Sequence, residues 1–230
     1  IDIAVHSMKD MPVDQPGGLV LDCYLPREDP RDAFLSPVSA TLSGLPAGAK
    51  VGTSSLRRKA QILYKRPDLK VVEFRGNVQT RLRKLEEGVA ACTFLAMAGL
   101  NRLGMEHFAN APVALTDMLP AVAQGAIGIE RREDDQATRE LLTLIHDFPT
   151  GYRIEAERSF LRTLDVSCQM PIAGLAELSD RQLRLRGEIL RPDGSECLAH
   201  EITGQIDDAV EIGAQLGRAL LSEAGPYFFD

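Results

Sequence analysis

The stretch VGTSSLRRKAQILYKRPDLKVVEFRGNVQTRLRK, residues 51–84, decides the fold because two short apolar strands in it each lead into an amphipathic helix. The first helix ends before Pro67, since the residue before a proline avoids helical geometry. A third unit of the same kind follows the stretch. Strands that alternate with helices of this length indicate an α/β sheet that is mostly parallel. The three helices are predicted over 55–65, 77–87 and 96–103.

The same stretch is a basic patch in an acidic chain. It holds ten lysine and arginine residues against two acidic ones, a charge of +8, whereas the whole chain carries −7 and the remainder therefore −15. Helix N-termini present free N–H groups and a partial positive charge, so cations placed there cost stability unless an anion pairs with them. Four arginines lie in or beside the first turns of the two helices, namely Arg57, Arg58, Arg75 and Arg81.

We therefore predict an anion site along this stretch. Each planar guanidinium can pair bidentately, so several arginines indicate several carboxylates or phosphates. The hydroxyls of Thr53, Ser54 and Ser55 either add hydrogen bonds to the ligand or only cap the helix.

Composition limits the class of protein. With 230 residues, 44% of them hydrophobic, the chain is typical of a soluble globular protein of one to three domains. The acidic balance and only 5% aromatic residues disfavour nucleic-acid binding, and no apolar run approaches the roughly 18 residues of a membrane span. Four cysteines lack metal-ligand spacing, so we expect no metal and the reduced thiols of a cytoplasmic protein. We also expect a monomer.

Two further positions have both an ordinary and a chemical interpretation. Asp10 follows a strand predicted at 1–5, where an aspartate either shapes a loop or serves acid/base work and holds a cationic intermediate. Cys168 is predicted to lie in a loop between a helix and a strand. A cysteine there is either an inert thiol or a nucleophile or attachment point.

The flanking regions indicate further units. The charged, proline-flanked segment 26–32 is predicted to cross between domains. Pro149 and Thr150 are predicted to separate a helix over 136–146 from a second over 151–164. Beyond Cys168, three strands with a hairpin turn and a final amphipathic helix predict a small antiparallel α+β domain.

The ordered motifs resemble those of the porphobilinogen deaminase family, also called hydroxymethylbilane synthases. The resemblance spans the chain, and the combination of HSMKD, GTSSLRR and RGN is highly specific. The matching segments are 2–10, 27–34, 51–58, 75–78, 80–82, 98–100, 124–126 and 168–171.

This resemblance implies a transferase of tetrapyrrole and haem biosynthesis that joins four porphobilinogen molecules head to tail into hydroxymethylbilane, releasing ammonia. It implies a dipyrromethane cofactor, itself made from two substrate units, on a thioether to Cys168. Asp10 matches the catalytic aspartate, which would protonate the departing amine and stabilise the azafulvenium cation and the pyrrole N–H groups.

The resemblance also implies the remaining site residues. Arg57, Arg75 and Arg81 would bind the substrate's acetate and propionate groups. Ala123 stands where the family usually has glycine, a small-for-small departure expected to matter little. Cofactor contacts are implied for Ser7, Lys9, Thr53, Ser55, Arg57, Arg58, Arg75, Gly76, Arg81 and Gln124.

The fold implied is α/β, with two periplasmic-binding-protein-like domains and a small C-terminal α+β domain carrying an antiparallel three-stranded sheet. Residues 1–26 and 120–146 would be a remnant of domain 1, 31–119 domain 2 and 150–230 domain 3. The chain opens inside a strand without an initiator Met, so we expect the upstream part of domain 1 to be missing.

A non-catalytic periplasmic-binding-protein-like module for a small polycarboxylate is the alternative. It explains the α/β pattern and the arginines, but it leaves Cys168 and the third domain without a role. Consumption of porphobilinogen with release of ammonia would distinguish the enzyme from the module.

Overall fold

The computed structural model describes residues 1–164, 170–225 and 228, and its strands form three sheets. The strands are β1 (Ile3–Ser7), β2 (Leu19–Tyr24), β3 (Asp32–Leu35), β4 (Lys50–Gly52), β5 (Lys70–Val72), β6 (Cys92–Ala96), β7 (Ala111–Pro112), β8 (Ile127–Arg132), β9 (Ile172–Ser179), β10 (Gln182–Leu190) and β11 (Cys197–Gln205). The helices are α1 (Leu56–Lys65), α2 (Val78–Glu86), α3 (Met97–Leu103), α4 (Gln136–Thr143), α5 (Phe148–Leu164) and α6 (Ala209–Ala224).

The five-stranded sheet has the order β5-β4-β6-β3-β7 and carries the basic stretch. Strand β4 is parallel to β5 and to β6, but β3 is antiparallel to both of its neighbours. The sheet is therefore mixed, and the prediction of a mostly parallel sheet was wrong for its β3 side. Strand β3 reaches β4 through a loop instead of a crossover helix, so nothing in that connection enforces parallel pairing.

Both helices of the basic stretch begin at a side-chain cap. The Ser55 hydroxyl accepts a hydrogen bond from the backbone N–H of Arg58 at 3.4 Å, and the Asn77 side chain accepts one from Thr80 N–H at 2.8 Å. These bonds satisfy amide groups that the first helical turn leaves free. The Ser55 cap fixes where α1 begins, and it thereby places Arg57 and Arg58 on the first turn of this helix.

A three-stranded antiparallel sheet of order β1-β8-β2 positions the predicted catalytic aspartate. Strand β1 runs into a 3₁₀ turn over Met8–Asp10. Met8 is 1% exposed and packs so closely on Gly128 of β8 that a Cβ atom at Gly128 would lie 2.3 Å from the Met8 sulfur. This anchor holds the turn on the sheet while Lys9 and Asp10 remain exposed.

The C-terminal unit is confirmed as an antiparallel sheet, β11-β10-β9, with helices α5 and α6 packed together. The predicted separation into two helices is confirmed, but its position was wrong by a few residues: α4 ends at Thr143 and α5 begins at Phe148, so Pro149 lies in the first turn of α5 instead of between the helices. A proline in the first turn of a helix costs little, since its missing N–H would have had no partner there.

The chain crosses between the first and second sheets at two adjacent segments, 25–31 and 119–126. At their junction, Glu157 of α5 is fully buried and pairs bidentately with Arg27. Its carboxylate also accepts the backbone N–H groups of Ala123 at 2.6 Å and Ala176 at 2.8 Å. One carboxylate therefore ties both crossing segments to the C-terminal sheet.

Candidate active site

A cleft of about 520 Å³ lies where the first two sheets and the C-terminal sheet approach one another. Its walls come from the turn after β1, from the N-terminal ends of α1 and α2, from the second crossing segment and from the start of β9. Seven of the residues predicted from the sequence line it: Lys9, Asp10, Ser55, Arg57, Arg58, Arg81 and Gln124.

A buried ion cluster forms one wall of the cleft. Asp32, fully buried at the start of β3, lies 2.9 Å from Arg57 Nη2 and accepts a hydrogen bond from Arg58 Nη2 at 2.7 Å. The other ends of the two guanidiniums donate to backbone carbonyls, Arg57 to Leu119 at 2.8 Å and Arg58 to Phe94 at 2.7 Å. Both arginines are thus held in place before any ligand is considered.

The charges in this cluster act strongly on each other because water is excluded. Burial by itself would raise the pKa of Asp32, but the charges of Arg57 and Arg58, with hydrogen bonds from Arg58 and Gln124, outweigh it and hold that pKa below its usual range. Burial lowers the pKa of Arg57, and the Asp32 carboxylate opposes this shift. The cluster of two guanidiniums and one carboxylate therefore keeps a net positive charge.

Two more cations face the cleft from other elements. The cleft walls partly desolvate the ammonium of Lys9 and lower its pKa, and the charge of Arg58 adds to the effect, against the attraction of Asp10 and Asp32. Partial burial and then the charge of Arg58 lower the pKa of Arg81, whose Nε donates to the Gly76 carbonyl at 2.8 Å. For both groups loss of hydration is the largest cause of the lowered pKa, and the surrounding carboxylates do not offset it.

Four predicted contacts do not line the cleft. Arg75 is exposed and pairs with Glu73, while Gly76 adopts a φ of 132° and accepts the Arg81 bond. Thr53 is buried, and its hydroxyl accepts the backbone N–H of Ser55 at 3.1 Å. Ser7 is half-buried at the end of β1. Cys168 lies outside the described residues.

Sequence reasoning missed Asp32 as part of the site. The counter-ion of the arginines was expected to come entirely from a ligand, whereas Asp32 supplies part of it. Ser54, whose hydroxyl was considered as a ligand contact, also lines the cleft, and Met170 does so without having been assigned a contact. The signal that could have exposed Asp32 is its position: it opens a buried strand directly after the crossing segment.

The lining fits a ligand that carries carboxylates. Four cations, Lys9, Arg57, Arg58 and Arg81, line the cleft with one carboxylate, Asp10, and the buried Asp32 lies behind them, so the site carries 4 − 2 = +2 in a chain of −7. No described residue makes a hydrogen bond to the buried Nε of Arg57. Guanidiniums with spare N–H groups, an ammonium and hydroxyls are the donor set that carboxylates require.

The described residues show neither a metal centre nor a membrane span. They contain no group of three or more histidine, cysteine, aspartate or glutamate residues arranged to hold a metal ion. None of their helices combines the length and the hydropathy that a bilayer crossing needs.

Fold and cleft together define an α/β protein with a basic cleft between its sheets, of a composition that suits a ligand with carboxylates, and with a C-terminal α+β unit. Two family models match the chain: the porphobilinogen deaminase, dipyromethane cofactor binding domain over residues 1–140, and the porphobilinogen deaminase C-terminal domain over residues 152–222. The chain belongs to the porphobilinogen deaminase family.

Curated relatives match the whole chain. The porphobilinogen deaminase of Paracoccus denitrificans is 64% identical over all of this chain and 74% of its own length. The chloroplastic porphobilinogen deaminase of Pisum sativum is 51% identical over all of this chain and 63% of its own length. Among solved structures, a periplasmic substrate-binding protein of an ABC transporter from Coxiella burnetii is 16% identical, with a TM-score of 0.36 over 58% of this chain and 64% of that one.

Proposed function

We propose that this chain has the function of a hydroxymethylbilane synthase, which joins four porphobilinogen molecules head to tail and releases one ammonia per addition. The observation that carries the proposal is the cleft, which brings Asp10 together with Arg57, Arg58 and Arg81 from separate elements. Each substrate ring brings an acetate and a propionate, so a chain of rings accumulates negative charge. A cleft of positive charge suits this ligand.

Asp10 is proposed as the acid and base of the reaction. Its carboxyl group gives a proton to the aminomethyl nitrogen of porphobilinogen, the C–N bond breaks, and the nitrogen leaves as ammonia. The resulting carboxylate then faces the cationic pyrrole and takes up the proton lost when the new carbon–carbon bond forms. The turn over Met8–Asp10, anchored by buried Met8, keeps Asp10 accessible at the cleft for this task.

The arginines are proposed to bind and orient the carboxylates. Arg57 and Arg58 are fixed at both ends of their guanidiniums, and rigid donors lose little entropy when they bind. Arg75 lies on the surface beside Glu73, so its proposed contacts with substrate and cofactor require its side chain to leave Glu73. Ser7, Lys9, Thr53, Ser55, Gly76, Arg81 and Gln124 complete the proposed contacts.

The cleft lining fits the dipyrromethane group that the family carries. When bound, dipyrromethane supplies the ring carbon to which the first substrate is joined. Cys168 is proposed as its attachment point, and support comes from Met170, two positions further along the chain, which lines the same cleft. A covalent tether would also prevent loss of the growing product between cycles.

The three sheets support the proposed division into domains. The first sheet takes its strands from 1–26 and 120–146, the five-stranded sheet from 31–119, and the last sheet from 150–230. A monomer in the cytoplasm is part of the same proposal. Size-exclusion chromatography with light scattering tests the oligomeric state.

Asp10→Asn is the variant that tests the chemistry. It removes the acid while it keeps the shape, so we expect turnover of porphobilinogen to fall at least 100-fold, within the range that a positioned acid contributes. Ammonia release and the mass of the covalently elongated protein are measured on the full-length protein. Asp14→Asn, an exposed change in the next loop, is the control and should keep turnover within twofold.

Two results would contradict the proposal. Near-normal turnover in Asp10→Asn would remove Asp10 from the chemistry. A wild-type protein that neither consumes porphobilinogen nor releases ammonia, yet binds it, would favour the non-catalytic module.

A further inference from the structure

Asp32 holds three side chains of the cleft wall at once. Its Oδ1 atom accepts hydrogen bonds from Arg58 Nη2 at 2.7 Å and from Gln124 Nε2 at 3.0 Å, and its Oδ2 atom lies 2.9 Å from Arg57 Nη2. The residue itself is 0% exposed. It therefore has no surface with which to touch a ligand, and any influence on the reaction must pass through the side chains that it holds.

The geometry points to Asp32 as the positioning residue of the carboxylate site: it fixes the planes and the spacing of the Arg57 and Arg58 guanidiniums that meet the substrate's carboxylates. This inference rests on the proposed function and adds a residue to that site. Asp32 does not itself react.

The first argument is electrostatic. Two guanidiniums that share a water-excluded wall repel each other, and without an anion between them they would separate or turn outward. Asp32 supplies that anion from inside the protein, so the pair is assembled before substrate arrives. One carboxylate neutralises only one of the two charges, and the wall therefore remains attractive to a carboxylate from the cleft.

The second argument is geometric. A guanidinium recognises a carboxylate through two parallel N–H groups, so the orientation of its plane decides whether the contact is bidentate. Arg57 is held between Asp32 and the Leu119 carbonyl, and Arg58 between Asp32 and the Phe94 carbonyl. With Asp32 removed, each guanidinium keeps a single anchor and can rotate about it. A guanidinium turned out of this plane offers the substrate carboxylate one hydrogen bond in place of two parallel ones, so substrate binding weakens.

Asp32→Asn tests the inference, with Asp29→Asn as the matched control. Asp29 lies three positions earlier, in the crossing segment that leads into β3, and also pairs with an arginine, Arg31, at 2.6 Å, but it does not line the cleft. We expect Asp32→Asn to raise the KM for porphobilinogen at least tenfold while kcat per folded molecule changes less than threefold. Asp29→Asn should leave both constants within twofold.

The KM readout separates positioning from a merely structural role. A structural role would lower the folded fraction, and with it the apparent kcat, at an unchanged KM. An unchanged KM in folded Asp32→Asn, beside an active wild type, would overturn the inference while leaving the proposed function intact. A wild type without activity would instead overturn the proposed function.

Asp32→Glu covers the case in which Asp32→Asn does not fold. It keeps the charge but moves the carboxylate by one methylene group, so we expect a folded protein with KM raised at least fivefold. A second readout is a double variant that combines Arg57→Ala with Asp32→Asn, or with Asp32→Glu if only that variant folds. Its increase in KM should be smaller than the product of the two single increases, because neighbours in one network are not independent. The inference would be contradicted if the KM increase of the double variant equalled the product of the single increases, or if Asp32→Glu had a normal KM.

Discussion

Ala123, next to the cleft, adopts a backbone conformation that disfavours residues other than glycine. The backbone of Ala123 has a φ of 61°, in the left-handed region that costs a non-glycine residue roughly 1–2 kcal/mol. The replacement of glycine by alanine was expected to matter little because both residues are small. The difference lies in the backbone: Ala123 donates its N–H to Glu157 at 2.6 Å, and this bond holds it in the strained conformation next to Gln124 of the cleft.

Ala123→Gly is predicted to relieve this strain. Glycine adopts the conformation freely but loses more entropy on folding, about 0.4–1 kcal/mol, so we expect a net gain of up to about 1 kcal/mol in the free energy of unfolding. Urea denaturation measures the change. Ala126→Gly, at a buried position without a positive φ, is the control and should lose about 1 kcal/mol. Equal losses in both variants would show that Ala123 is unstrained.

At the scale of elements, helices α5 and α6 are joined through glycine. A Cβ atom at Gly213 of α6 would lie 2.2 Å from the Ala156 carbonyl oxygen of α5, and one at Gly217 would lie 2.6 Å from the Thr163 Cβ. Such distances leave no space for a side chain. The two glycines, four positions apart and hence on one face of α6, set how closely these helices approach.

Gly213→Ala is predicted to destabilise the protein although alanine is the better helix former. The added methyl group meets backbone atoms of α5, which cannot move aside as a flexible side chain would, so we expect a loss of roughly 1–3 kcal/mol. Gly99→Ala in α3 is the matched control, because its Cβ would meet nothing within 4 Å. It should gain up to about 1 kcal/mol. Thermal melting measures the change in stability of both variants. A stabilised Gly213→Ala would refute the close packing of α5 and α6.

The elements from 55 to 103 could be predicted because their signals are local. Ser55 and Asn77 cap their helices, Pro67 ends the first one, and an apolar strand precedes each. The direction of β3 could not, since it depends on pairing with β6 about 60 positions later along the chain. The cleft was predicted in part. Its basic residues could be recognised from their charge, but Asp32 could not, because it lies in a charged segment whose composition suggests exposure.

At the scale of the whole molecule, one buried ion pair joins distant parts of the chain. Arg27 and Glu157 have side chains that are 3% and 0% exposed, and their closest nitrogen and oxygen atoms are 2.6 Å apart. Arg27 also donates to the carbonyl of Gln124 at 2.9 Å. The pair thus connects the first crossing segment, the second crossing segment and α5.

Arg27→Ala is predicted to cost about 3–5 kcal/mol in the free energy of unfolding, because it leaves the Glu157 charge buried without its partner. Arg181→Ala is the control: it breaks a comparable pair with Asp207 whose side chains are mostly exposed, and it should cost no more than about 1 kcal/mol. Guanidinium denaturation followed by circular dichroism measures both. Similar small losses would mean that water relieves the Glu157 charge.

The position of Glu157 has a consequence for how this protein can be divided. A fragment starting at residue 150 would retain the carboxylate of Glu157 without Arg27, and the apolar face around Phe160 without Met8 and Tyr24, which belong to the same hydrophobic cluster. Such a fragment would expose an apolar surface around a carboxylate that has lost its partner. The C-terminal unit is therefore not an independent module. It can be transferred to another protein, or excised, only together with the chain that precedes it.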